Sequence, residues 1–157
     1  MRLTEINIRE KKFHNELQSK KDERFENKFY KALYNINEDF FSFLKKNAEN
    51  SEILDYGCGV GTLVEQVVKF NPKKIIGIDI SEVSIDKAKK RIQNLKKEAN
   101  FNVDNCEKTK FDDNSFDIVY GSGILHHLKI EECLDEIYRI LKSNGNLLLV
   151  HSLRHQS

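Results

Sequence analysis

A doubly wound α/β sheet with mostly parallel strands is the fold class this sequence predicts, and three observations predict it. The stretch Ser51–Leu63 reads as a strand ending at Ile53 and Leu54, a closing acid, glycines at 57, 59 and 61, and a helical pattern opening with Leu63, Val67 and Val68. Beyond it, short apolar runs alternate with helical patterns in the manner of βαβ units, which place helices on both faces of a parallel sheet. Leu147 to Val150 is a continuous apolar run, as expected of a strand covered on both sides. The 157 residues suit one domain with a real core, and 39% hydrophobic against 32% charged residues is well short of a disordered composition.

Each element follows in order. The first fifty residues contain no glycine or proline and are rich in Lys, Glu and Phe, predicting two or three helices that form a cap over residues 1–50, ahead of an α/β domain over 51–157. Phe13 and Leu17, then Phe25, Phe29 and Leu33, recur at helical spacing, and a further helix with Phe40, Phe41 and Leu44 starts near Asn37 as N-cap. The aromatic stripe reads as core packing, and the mixed charges from Arg9 to Lys28 as a solvated face. Lys74 to Asp79 is the second strand. Ser81 caps a helix with Val83, Ile85, Ala88, Ile92 and Leu95 inward and Lys90, Arg91, Lys96 and Lys97 outside. Phe101 to Val103 and Phe116 to Tyr120 are the third and fourth strands. Ile130 to Ser143 is a helix with Ile130, Cys133, Leu134, Ile137 and Leu141 inward, ended by Asn144-Gly145 with glycine in the left-handed position. Leu147 to Val150 is the fifth strand.

Charge and cysteine usage bound the partners. A net charge of +1 gives no bulk attraction to nucleic acid or membrane. No apolar run approaches the roughly 20 residues of a membrane span, and the N-terminus shows no apolar leader region. Cys58, Cys106 and Cys133 are odd in number and form no C-x-x-C pair, arguing against a disulfide framework and a metal site and for a reducing, cytoplasmic setting.

The glycine turn is built for close approach of a ligand. Glycine at 57, 59 and 61 removes the Cβ atoms that would hold a ligand off the backbone, and the following helix aims unpaired amides at whatever lies over the turn. A phosphate-cradling P-loop needs Lys and then Ser or Thr after its last glycine, and Thr62-Leu63 stands there instead. The dinucleotide fingerprint is weakened, since its third glycine would fall at Thr62. Asp55 would sit badly beside a pyrophosphate and well beside a cation. In open α/β sheets the ligand lies at the carboxyl ends of the strands, and Asp55, Asp79, Asn105 and Gly121 all fall just past such ends. Asp79 is placed to accept both hydroxyls of a ribose.

Asp55-Tyr56-Gly57-Cys58-Gly59-Val60-Gly61 resembles the first motif of the class I S-adenosylmethionine-dependent methyltransferases. Ile75-Ile76-Gly77-Ile78-Asp79-Ile80-Ser81 is similar to that family's second strand with its ribose-binding acid. Phe111 to Val119 and Leu125-His126-His127-Leu128 resemble the segments entering and leaving its fourth strand, and Arg139 to Lys142 with Gly145 and Leu147 to Val150 its approach to the fifth. The resemblance covers roughly residues 51 to 151. It implies a Rossmann-like sheet in the order 3-2-1-4-5 and S-adenosyl-L-methionine as cofactor. It also implies that Asp55 and the Gly57 backbone hold the methionyl ammonium, that Ile80 packs on the adenine, and that the Asn105 side chain and the Cys106 amide read its edge. Gly59, Gly61 and Gly121 would line the approach, Cys58 would be chosen for small volume, and Tyr30 and Tyr34 would close the pocket from the cap. Where the acceptor must lose a proton, His126 is the candidate base, with His127 beside it and His151 and His155 weaker.

The expected function is methyl transfer to a small-molecule acceptor. The alternatives are a cofactor-binding module with weak or no turnover, and a nicotinamide oxidoreductase half-domain, which Thr62 and the helical lead-in oppose. The family continues past the fifth strand with a helix and an antiparallel strand pair absent from this sequence. The expectation is therefore a truncated form, or a subunit whose fifth-strand edge pairs with a second copy to give a homo-oligomer.

Overall fold

Glu52–Tyr56 forms the central strand, β1, and its Ile53, Leu54 and Tyr56 side chains are all fully buried because helices cover both sheet faces. The structure, a computed structural model, describes residues 5–20, 38–95, 97–124 and 129–150, apart from some side chains of the first helix. Phe25, Phe29, Tyr30, Leu33, Tyr34, Asn37, Lys96, His126, His127, His151 and His155 lie outside the described residues, as do the side chains of Phe13 and Leu17. Among the described residues the chain runs α1 (Glu5–Lys20), α2 (Glu38–Asn47), β1, α3 (Thr62–Val67), β2 (Lys74–Asp79), α4 (Glu82–Ile92), β3 (Asn100–Val103), β4 (Phe116–Ser122), α5 (Ile130–Ile140) and β5 (Leu141–Val150).

The strands lie in the order β3-β2-β1-β4-β5, and every pairing is parallel, as the alternating pattern predicts. One face is covered by Phe40 and Leu44 of α2, Val64 and Val67 of α3 and Ile85 and Ala88 of α4, the other by Cys133, Ile137 and Ile140 of α5. Strand order reverses beside β1, so the crevice above β1 and β4 opens at their carboxyl ends. Ser81 caps α4 as expected, its hydroxyl oxygen accepting from the Ser84 amide at 3.1 Å.

Three expectations are corrected. Arg91 does not stand outside α4: its Nε donates to the Val60 carbonyl at 3.0 Å and its guanidinium reaches Glu65 at 3.3 Å, fastening α4 to the glycine turn. The last helix stops at Ile140, not near Ser143, because the Asn114 and Ser115 amides take the Arg139 and Ile140 carbonyls at 3.0 and 2.8 Å and Leu141 already pairs with Phe116. Gly145 therefore ends no helix. It lies in β5 where the register shifts, and a Cβ there would stand 2.6 Å from Leu141 Cδ2.

The inner face of α5 is also rotated from the expected one. Ile130 and Leu134 are 51% and 41% exposed, while Glu136 turns inward with Cys133, Ile137 and Ile140. The Thr109 amide and hydroxyl donate to Glu136 Oε1 at 2.8 and 2.5 Å, and Arg139 closes over the same carboxylate, so a buried acid with four donors outweighs two aliphatic side chains. The fifth strand is half covered, with Leu147 38% exposed, because β5 is the edge of the described sheet and has β4 alone as neighbour.

Candidate functional site

The glycine turn is held from below by one carbonyl. The amides of Gly57 and Cys58 both donate to the Ile78 carbonyl, at 2.9 and 2.8 Å, which bends the chain sharply off β1 over the end of β2. Gly57 and Gly61 take the left-handed φ values of 80° and 77° that this bend demands. Their missing Cβ atoms serve packing inside the protein. A Cβ on Gly57 would stand 1.9 Å from Ile124 Cδ1, and one on Gly61 would stand 2.9 Å from Ala88 Cβ and 3.1 Å from Phe101 Cζ. Gly61 is thus the place where α3, α4 and β3 meet. Of the four residues expected just past strand ends only Asn105 is so placed: Asp55 lies inside β1, Asp79 is the last residue of β2, and Gly121 lies inside β4, where a Cβ would press on the Tyr56 carbonyl at 2.9 Å.

Asp79 joins the turn to the second strand. Its Oδ2 accepts from the Gly59 amide at 2.9 Å and its Oδ1 from the Ser81 amide at 2.8 Å, so one carboxylate ties the glycine turn to the start of α4. Ile80 beside it is half-buried. The Asp79 carbonyl accepts from Asp104, whose carboxylate in turn accepts from the amides of Asn105 and Lys110. Asn105 and Cys106 are both buried at the carboxyl end of β3, and the Tyr56 phenol, reaching across from β1, donates to the Cys106 carbonyl. Burial pushes the Tyr56 phenol far above its usual range, so it stays a donor. Cys58 packs against the bare face of Gly77, a fit that its small volume permits. Burial raises the Cys58 and Cys106 thiols well above their usual range, so neither is a nucleophile.

Asp55 is the electrostatic centre of the turn. It is fully buried, pairs in register with Tyr120 of β4, and its Oδ2 and the Tyr120 hydroxyl are both buried without completing a hydrogen bond. Burial lifts the Asp55 carboxyl to about 8, with the neighbouring Tyr120 hydroxyl drawing it down and the Asp79 charge pushing it further up. A carboxyl raised in this way binds a proton in the folded chain that the unfolded chain has already released. Its contribution to stability is therefore complete below about pH 4 and is lost as pH rises toward about 8. Asp55→Asn is expected to flatten the stability profile over that window by up to about 1.4 kcal/mol per pH unit, measured by urea unfolding of the ligand-free chain. A wild-type profile as flat as the variant's would show that Asp55 is ionised in the fold.

Helix α1 lies across the ends of β2 and β3. Asn7, Lys11 and Asn15, one face at four-residue spacing, meet Asn105 and Glu107, Glu82, and Ser81 respectively. Lys11 approaches Glu82 to 2.6 Å, so the expected solvated face from Arg9 onward is here an attachment surface. The sequence signal was available only as a polar stripe, with nothing to say what it faced. Tyr30, Tyr34 and His126 lie outside the described residues.

This edge suits a ligand with an ammonium group and an adenosine. The orphaned Asp55 Oδ2 matches an ammonium in a dry site, the Asp79 carboxylate at the end of β2 matches vicinal hydroxyls, and Asn105 and Cys106 offer amide groups to a base. Comparison with known proteins agrees. The family model described as a methyltransferase domain matches residues 54–149. An uncharacterised methyltransferase of Schizosaccharomyces pombe is 35% identical over 109 residues, which are 69% of this chain and 42% of that protein. The sterol 24-C-methyltransferase of Aspergillus fumigatus is 31% identical over 120 residues, covering 74% of this chain and 32% of its own length. Among solved structures, a Pyrococcus horikoshii protein superposes with a TM-score of 0.65 at 26% identity, over 70% of this chain and 53% of that one. The chain thus spans between a third and a little over half of these proteins' lengths.

Proposed function

Because the chain belongs to the class I S-adenosylmethionine-dependent methyltransferases, whose domain it matches over residues 54–149, we propose that it transfers a methyl group from S-adenosyl-L-methionine to a small-molecule acceptor. The observation that carries the reading is the buried Asp55 with its orphaned oxygen, in line with Asp79 and Asn105 along one sheet edge. The similarity to sterol 24-C-methyltransferases supports a small-molecule acceptor. The cofactor supplies a methyl group on a sulfonium, open to in-line displacement. The residues of this chain supply position and dryness. Asp55 would hold the ammonium and become ionised as it does so, Asp79 the ribose, Ile80 one face of the adenine, and Asn105 with Cys106 its edge. Holding donor and acceptor in contact can supply effective molarities of about 10⁵ M or more. His126 is the proposed base where the acceptor must lose a proton, and Tyr30 and Tyr34 the proposed closure from a helical cap over residues 1–50, with 51–157 as the cofactor domain.

The family match removes the dinucleotide alternative. A cytoplasmic setting is proposed on the three buried free thiols, and among the described residues no helix is long and apolar enough to cross a membrane. A second reading, pairing of copies through β5, is favoured by that strand's open edge in the described sheet and by Ile130, Leu134 and the 86% exposed Tyr138 on α5. Thermal unfolding with S-adenosylmethionine, its demethylated product, NAD and ATP tests the cofactor. The first two at a hundred times their dissociation constants should add about 2.7 kcal/mol. Stabilisation by NAD alone would overturn the reading. Light scattering alongside a methyl-transfer assay tests pairing: turnover by a clean monomer would exclude any need for a second copy.

A further inference from the structure

The polar contacts at the end of β3 run in one direction. Asn105 donates from Nδ2 to Asn7 Oδ1 at 3.2 Å, and Asn7 donates from Nδ2 to Glu107 Oε2 at 3.1 Å. All three side chains are buried. The other Glu107 oxygen accepts from the Lys129 amide, at 3.4 Å, where α5 begins. An ionised carboxylate only accepts, whereas a carboxamide can present either end until a neighbour decides. Glu107 therefore makes Asn7 turn its nitrogen toward the acid and its oxygen toward Asn105. Asn105 must answer with its own nitrogen. Its oxygen is left on the opposite side, where the Glu107 amide meets it at 3.0 Å and a second lone pair is available. An oxygen so placed suits a base carrying an exocyclic amine.

We infer that Asn7 and Glu107 are positioning residues for the nucleobase: a one-way hydrogen-bond relay through α1 that fixes the Asn105 carboxamide with its oxygen toward the base. The inference rests on the cofactor reading above. It makes α1 part of the base-reading site, and it explains why a neutral amide works at position 105. An aspartate there would accept an amine equally well. In this chain, however, it would force Asn7 to turn its nitrogen toward residue 105 and its oxygen toward Glu107, acceptor against acceptor.

The test is binding of S-adenosylhomocysteine by titration calorimetry, with folding followed by circular dichroism. Asn105→Asp should weaken binding about tenfold, the value of one frustrated buried hydrogen bond. Adding Glu107→Gln should restore most of the loss, since a glutamine can donate to the reversed Asn7. In an Asn7→Leu background the same Glu107→Gln change should restore nothing. If Asn105→Asp alone does not fold, recovery of fold and binding in the double variant, and its absence without Asn7, supports the relay equally. Unchanged or tighter binding by Asn105→Asp, or rescue that persists without Asn7, would overturn it, the latter pointing to direct repulsion between carboxylates. Failure of the unaltered chain to bind would sink the cofactor reading and the relay together, whereas failure confined to the rescue sinks the relay alone.

Discussion

Gly61→Ala is expected to destabilise the fold by about 2–5 kcal/mol, combining the cost of a left-handed residue with that of overpacking. The backbone there sits at φ 77°, and the added methyl would stand 2.9 Å from Ala88 Cβ, 3.2 Å from Ala88 Cα and 3.1 Å from Phe101 Cζ. None of these neighbours is the far end of a flexible chain. Ala88 is held in α4 by its buried neighbours Ser84 and Ile85, and Phe101 is pinned in β3 by pairing with Gly77. Relief would require α4 to move off the sheet, which would also pull Arg91 from the Val60 carbonyl that steadies the turn. Urea unfolding measures the effect. A variant of wild-type stability that had lost only ligand binding would return Gly61 to the ligand-facing role expected from its spacing.

Asp79→Ala is expected to produce a double deficit. Two backbone amides, those of Gly59 and Ser81, lose a charged acceptor, and hydrogen bonds to charged groups contribute about 1.5–3 kcal/mol each. Stability should fall by about 2–4 kcal/mol, since water can re-solvate the half-buried Gly59 but not the fully buried Ser81. Binding of S-adenosylhomocysteine should weaken by a further ~1.5–3 kcal/mol on loss of the ribose acceptor. Asp79→Asn separates the two. It can keep one amide contact while placing a donor against the other, so it should recover part of the stability and little of the affinity. Calorimetric titration alongside urea unfolding reads both quantities, and an unchanged dissociation constant in Asp79→Ala would remove the ribose role while leaving the turn-holding one.

Much of this molecule was legible in one dimension because its signals are local. The alternation of apolar runs with helical patterns, the Ser81 cap and the Lys74–Asp79 strand depend on residues within a few positions of one another, and each stands where its pattern placed it. Parallel pairing followed from the same alternation, since βαβ units admit little else. What tertiary structure decided were the contacts between residues far apart. The last helix ended early because amides at 114 and 115 took its final carbonyls, and its inner face was set by Thr109 drawing Glu136 inward. Gly57 and Gly61 were recognisable as turn glycines from spacing alone, yet only packing showed that their bare faces meet Ile124, Ala88 and Phe101. Asp55 was legible as an acid beside the turn, but its raised proton affinity comes from burial beside Tyr120 of β4, a ring that itself packs on Phe40 of α2. Asn7 and Glu107 carried no motif at all. Their hydrogen bonds with Asn105 exist because the fold brings positions 7 and 105 together, and a sequence records a residue's own chemistry but not the direction from which its partner arrives.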